Sequence, residues 1–279
     1  MLFGAAYRML GTRADADDVL QEAWLRWDRV DRNEVDEPRA YLFRLVTRLT
    51  LDQLRRVKAR REAYVGPWLP EPLLTSPGAE ERAELAETLS TGLLVVLETL
   101  TPVERAVFVL REAFGFSHAE VAEMTGRTER AVRQLAYRAR RHVDARRPRR
   151  NTTPGEHREV TERFLAAAIG GDLAALLAVL APDVTFVADA DGRSETPRQP
   201  VHGAREVAEY LVSVAPFWPP HLDVEITPVN GDPGALITTA ALPFLVFSFD
   251  VDPADGRLRE INAVLNPDKL RDVDRDVDR

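Results

Sequence analysis

Arg130, Arg133 and Gln134 follow Thr128 at helical spacing, and Glu129 shares their turn. A guanidinium offers two parallel donors that match the O6 and N7 edge of guanine, and a glutamine side chain can pair bidentately with adenine. Arg138 and Arg141 stand further along the same stretch, where a helix in a groove meets phosphates that position it without specifying sequence. A second basic series, Arg44, Arg48, Arg55 and Arg56, lies off an apolar helical stripe and suits contact with phosphates. Asp15, Asp18 and Glu22 form an acidic stripe, with Gln21 beside it, that suits a protein partner. The candidates for acid–base chemistry are Asp189, Asp191, His202 and His221. No pair among them has a spacing that fixes a mechanism. His202 precedes Gly203-Ala204-Arg205-Glu206, a helix start, and so reads as a structural or surface residue. No catalytic residue, metal or cofactor is expected. With no cysteine there is neither a disulfide framework nor a thiolate metal site, which fits a reducing cytosol.

Elements must position these groups, and the chain divides by charge. Residues 1–150 carry 26 basic and 23 acidic side chains, a net of +3; residues 151–279 carry 11 and 22, a net of −11. The overall −8 therefore hides two electrostatically different halves. At 279 residues the chain is long enough for two or three domains. The longest apolar runs are too short to span a bilayer, and the start is a poor signal peptide.

The spacing predicts helices over residues 14–27 and 39–61. In the first, Val19, Leu20, Ala23, Trp24 and Trp27 share a face that reads as core. Residues 31–38 form a polar break between these helices. Gly66-Pro67-Trp68-Leu69-Pro70-Glu71-Pro72 can be neither regular helix nor central strand. It reads as an extended linker over 62–78, and its apolar pair Trp68 and Leu69 predicts docking, since a passive linker is polar. Helices resume near Ala79. Thr101-Pro102-Val103-Glu104 and Ser117-His118-Ala119-Glu120 are capping boxes, and Thr125-Gly126-Arg127 is the turn before a third helix. That pair of helices is a helix-turn-helix within 79–150. After residue 154, helical patterns (156–170, 172–180, 204–214) alternate with strand patterns (184–188, 222–229, 235–241, 245–251), an α+β domain over 155–270. Asp255-Gly256 between two strand-like runs is a hairpin signal. Residues 271–279 read as a disordered charged tail.

Three ordered segments together resemble the sigma-70 family of transcription initiation factors, and within it the extracytoplasmic-function (ECF) group. AYRMLGTRADADDVLQEAWLRW looks like regions 2.1–2.2, PRAYLFRLVTRLTLDQLRR like regions 2.3–2.4, and LTPVERAVFVLREAFGFSHAEVAEMTGRTERAVRQLAYRARRHV like region 4. The resemblance implies all-α sigma region 2 over 1–61 and region 4 over 79–150. It implies RNA polymerase core as partner, through the β′ clamp helices at Asp15, Asp18, Gln21 and Glu22 and through the β flap. Promoter DNA would be read at −10 through Arg44, Arg48, Arg55 and Arg56, and at −35 through Arg130, Arg133, Gln134, Arg138 and Arg141. Met1 falls almost at the start of the first family helix, so part of region 2.1 is expected to be missing.

GPWLPEPL and NPDKL look like the ECF sigma factors that carry a fused SnoaL-like domain, the sigma factor J type, and imply an NTF2-like cone at the C-terminus. The Asp-Gly-rich motif of that group is degraded here to Asp189-Ala190-Asp191-Gly192-Arg193. The function this implies is cytoplasmic and non-enzymatic: promoter-specific initiation, modulated in cis. The C-terminal domain is expected to contact the sigma domains and the linker, through Trp68, Leu69 and Pro70 on one side and Asn266, Pro267, Asp268, Lys269 and Leu270 on the other. A small ligand in the cone is a further possible partner. The alternative is a helix-turn-helix module fused to a SnoaL-like enzyme or ligand sensor.

Overall fold

The computed structural model describes residues 1–74, 90–145, 154–192, 196–271 and 273. Several expected features lie outside these residues: the resumption of helix near Ala79, Arg193, and all but two residues of the charged tail. The chain forms two compact units. One joins Met1–Ala63 to Leu93–Arg147, and the other joins Tyr64–Gly92 to Pro148–Arg279.

In the first unit, α1 (Leu2–Leu10) ends at Gly11, whose φ of 76° makes the left-handed cap. α2 (Arg13–Trp27) starts from Thr12, whose hydroxyl accepts from the Asp15 amide. α3 (Pro38–Glu62) opens on proline, whose missing N–H costs nothing in a first turn. The three helices pack on one another. The buried ridge of α2 is Ala16, Val19 and Ala23. This corrects one expectation: Trp24 is 62% exposed. The buried stripe is one narrow row at offsets of three and four, and Trp24 falls past its edge. Trp27 is only half-buried and rests on the Tyr41 ring at 5.5 Å.

The same unit holds α4 (Thr91–Glu98), α5 (Pro102–Phe108), a π-helical turn (Val109–Ala113), α6 (His118–Thr125) and α7 (Glu129–Asp144). Both capping boxes form, Thr101 with Glu104 and Ser117 with Glu120. Gly126, at φ 65°, turns the chain from α6 into α7. α3 packs on α5 and α6. Phe43 of α3 meets Phe114 and Phe116 edge-on at 5.2 and 4.8 Å. Glu98 receives both Arg61 and Arg105, and Arg105 also donates to the Met9 carbonyl at 2.7 Å. α1 and α3 thus share one core with the helices that follow residue 91.

In the second unit, α8 (Pro154–Gly170), α9 (Leu173–Val179) and α10 (Ala204–Val214) accompany a six-stranded sheet. Its strands are β1 (Leu180–Asp189), β2 (Val201–His202), β3 (Leu222–Val229), β4 (Asp232–Thr239), β5 (Leu242–Val251) and β6 (Leu258–Val264), in the order β2-β1-β6-β5-β4-β3. β1 and β6 run parallel and every other pair is antiparallel. The short α11 (Pro267–Leu270) follows β6. Phe164 of α8 packs edge-on against Phe247 and Phe249 of β5 at 5.7 and 5.3 Å, so the core lies between helices and one sheet face. This is the α+β domain that the strand and helix patterns predict. Period two along β1 sends Phe186 and Ala188 into that core and Asp189 to the opposite face.

Candidate functional site

α7 presents its polar face outward. Val132, Ala139 and Val143 are buried, while Arg130, Arg133, Gln134, Arg138 and Arg141 are all exposed. Glu129 pairs with Arg133. Arg138 reaches Glu104 at 3.2 Å, and Arg141 lies over the Tyr137 ring at 5.8 Å. Tyr137 is itself 64% exposed. Sequence reasoning passed it over, although an aromatic between Ala136 and Arg138 on a basic helix was the available signal.

On α2, Asp18, Gln21 and Glu22 are exposed, and Glu22 pairs with Arg26 four residues on. Asp15 is turned inward instead. It accepts from the Thr12 hydroxyl at 2.6 Å and from the Gln53 amide at 2.8 Å, so it ties α2 to α3. Trp24 and Leu25 extend the exposed face of α2 with apolar area. On α3, Arg48, Arg55 and Arg56 are exposed, and Arg55 pairs with Asp52. Arg44 is half-buried and pairs with Glu123 of α6 at 3.1 Å.

The remaining candidates converge in the second unit. Asp189, with no exposed surface, receives three donors: the Leu69 amide at 2.7 Å, the Lys269 ammonium at 2.6 Å and the Tyr64 hydroxyl. Lys269, 7% exposed, donates also to the Leu69 carbonyl and sits 4.0 Å from the Trp68 ring centroid. Asn266 donates to the Tyr64 hydroxyl at 2.8 Å, and its side chain caps α11 through the Asp268 amide. Burial, reinforced by the Asp189 carboxylate, holds the Tyr64 phenol well above its usual range, so it stays a donor. Leu69, Pro70 and Leu270 are buried, whereas Pro267 and Asp268 are exposed and Asp268 pairs with Arg271. Gly192, at φ 66°, is approached so closely that a Cβ there would lie 2.8 Å from Val65. The linker is held again at Leu73, whose amide and carbonyl bond Asn230 at 3.2 and 2.8 Å. Asn230 was missed, although Asn-Gly between two strand patterns is a strong turn signal. Tyr64 was missed because nothing in its neighbourhood marks a partner 125 residues away.

A cavity of about 240 Å³ opens between α10 and the sheet. Phe186, Tyr210, Trp218 and Phe247 are among its walls. None of Asp189, Asp191, His202 and His221 lines it. Asp189 is consumed by the linker contact. His202 is exposed and faces the Thr185 hydroxyl at 3.1 Å. Asp191 and His221 sit in turns at positive φ. Among the described residues no group of acids or histidines could hold a metal ion, and no helix is long and apolar enough to cross a membrane.

Comparison with known proteins agrees with this geometry. Residues 1–61 match the Sigma-70 region 2 family and residues 91–143 match Sigma-70, region 4. The chain is 40% identical to the ECF RNA polymerase sigma factor SigJ of Mycobacterium tuberculosis (strain H37Rv), over 96% of this chain and 89% of that protein. It is 32% identical to the probable ECF RNA polymerase sigma factor SigI of the same species, over 96% of this chain and 91% of that one. The crystal structure of M. tuberculosis SigJ superposes with a TM-score of 0.76 at 36% identity, covering 97% of this chain and 94% of that one. The matched segments are the two that share the helical core, and the match to SigJ runs on through the linker and the C-terminal domain: the chain belongs to the ECF RNA polymerase sigma factors.

Proposed function

We propose that the C-terminal domain regulates this sigma factor in cis by holding the linker between regions 2 and 4. The observation that carries this is the convergence of Leu69, Tyr64 and Lys269 on the buried carboxylate of Asp189. A backbone amide and an aromatic hydroxyl of the linker enter the interior of that domain, so moving the linker strips two of the three donors from a buried carboxylate and leaves it to Lys269 alone.

Regions 2 and 4 also pack on each other through Phe43, Phe114 and Phe116. Promoter elements about 25 base pairs apart at about 3.4 Å each lie roughly 85 Å from one another. A helical core of about a hundred residues has a radius of gyration of only about 13 Å. Reading both elements therefore requires the regions to part. Parting them frees Arg44 from Glu123 for DNA and changes the path of the linker. The latch on the linker then sets how readily the open form is reached.

In this reading the exposed face of α2, with Asp18, Gln21, Glu22, Trp24 and Leu25, meets the polymerase β′ clamp helices. Arg44, Arg48, Arg55 and Arg56 meet the −10 strand, while Arg130, Arg133, Gln134, Arg138 and Arg141 meet the −35 duplex. The test is in vitro transcription with core polymerase by three chains: full length, one ending at residue 150, and full-length Lys269→Met. Equal activity and equal core affinity in all three would end the regulatory reading. Asp18→Arg with Glu22→Arg should abolish core binding, and unchanged affinity would end the assignment of α2.

A further inference from the structure

The cavity beside α10 has a chemistry that neither the sigma regions nor the linker contact uses. Its volume is about 240 Å³, just under the about 300 Å³ at which small-molecule sites begin. Phe186 of β1, Tyr210 of α10, Phe217 and Trp218 beyond it, and Phe244 and Phe247 of β5 surround it. Among the described residues no acid, lysine, arginine or histidine lines it. A charge placed there would lose its water without gaining a partner, at several kcal/mol. An apolar ring loses water at a gain and finds aromatic faces and edges to pack on. Polar atoms come from Tyr210, Thr196 and the Trp218 indole N–H. Among the described residues nothing hydrogen-bonds the Tyr210 hydroxyl, and burial alone pushes its pKa up to about 12, so it stands neutral and able to serve one polar group.

We propose that this cavity is a binding site for an uncharged, ring-bearing small molecule, held by apolar burial with at most one or two hydrogen bonds. With no titratable acid or base among the described lining residues beyond the tyrosine, it binds its ligand without acid–base turnover. Its walls adjoin the latch in sequence: Phe186 precedes Asp189 by three residues on β1, and Leu265 precedes Asn266. The occupant is therefore a ligand of the regulatory domain.

The probe is N-phenyl-1-naphthylamine, neutral and two-lobed, added to the full chain. Its comparison is 8-anilinonaphthalene-1-sulfonate, the same rings with a fixed negative charge. The neutral dye should bind saturably, one per chain, and at least tenfold more tightly than the sulfonate. Two substitutions fill the cavity from opposite walls, Val214→Trp on the helix and Ala263→Leu on the strand. Each should weaken the neutral dye at least tenfold while circular dichroism and melting show a folded chain. Two fillers are made so that misfolding of one leaves the other to decide, and the comparison of dyes on the unaltered chain stands without either. Absence of saturable binding, equal affinity for both dyes, or undiminished binding in a folded filler would each overturn the proposal. The measurement reads binding alone, so it stands or falls separately from the action of the domain on the linker.

Discussion

Lys269→Met tests the latch most directly, because it keeps the aliphatic stem and removes only the charge. Lys269 and Asp189 are 2.6 Å apart, with side chains 8% and 0% exposed. Deleting one member of such a pair typically costs about 3–5 kcal/mol, since the other charge stays behind without compensation. Here the abandoned carboxylate keeps two donors, the Leu69 amide and the Tyr64 hydroxyl, which places the cost at the low end, about 3 kcal/mol. At about 1.4 kcal/mol per decade, that is roughly a 150-fold rise in the population with the linker released. Amide hydrogen exchange at Leu69 reads this population, because its N–H is exposed when the linker lifts. The variant should exchange there about a hundredfold faster, while amides of the β5–β6 pair keep their protection. Pairing Lys269→Met with Asp189→Leu removes both charges, and the double variant should lose less than the sum of the two singles. Unchanged exchange at Leu69 in Lys269→Met, or strict additivity in the double variant, would refute the reasoning that this ion pair holds the linker.

Glu98 compensates Arg61 and the nearly buried Arg105 together, so Glu98→Ala should destabilise the helical unit by about 3 kcal/mol, seen as an earlier loss of helix in urea. On α7, Arg138→Ala should weaken promoter binding evenly across sequences and lower the salt slope by about 1. Gln134→Ala should instead cost about 1–3 kcal/mol at the −35 element only, and binding titrations on matched and scrambled duplexes separate the two. Burial holds the Glu260 carboxyl above its usual range. The unfolded chain therefore gives up that proton first, and stability falls as pH rises from about 4.3 through the folded pKa. Glu260→Gln keeps the acceptor for Asn262 and removes that loss, so its melting temperature should match the unaltered chain near pH 4 and exceed it at pH 7. A difference independent of pH would refute it.

Much of the helical half was legible because its signals are local. Thr101 with Glu104 and Ser117 with Glu120 are capping boxes that close within one turn, so spacing alone reveals them. Gly126 ends α6 for a reason contained in one residue. The strands at 222–229 and 245–251 were readable from alternation and turns, but the parallel pairing of β1 with β6 was not, since it joins segments about 75 residues apart. Trp24 shows the limit of a helical face: spacing places a residue near the buried stripe, and the neighbouring helix decides how wide the stripe is. Asp15 shows the same limit for charge. It shares a stripe with Asp18 and Glu22, yet Thr12 and Gln53 turn it inward.

The unusual apolar pair Trp68 and Leu69 announced a docking segment from composition alone, and NPDKL was marked with it. What meets them was decided only by the fold. Asp189 was one of four side chains with acid–base chemistry, none of them at a spacing that fixed a mechanism. The pleat decides its role: Phe186 and Ala188 point to the core, so Asp189 points to the other face, where Lys269 and the linker amide meet it. Sequence therefore determined the family, most of the helix boundaries and the basic faces of α3 and α7, because propensity, capping and periodicity act within a few residues. Tertiary structure decided which charges are free and which are consumed. A buried ion pair is a property of two distant segments brought into a low-dielectric site, and neither segment carries it alone.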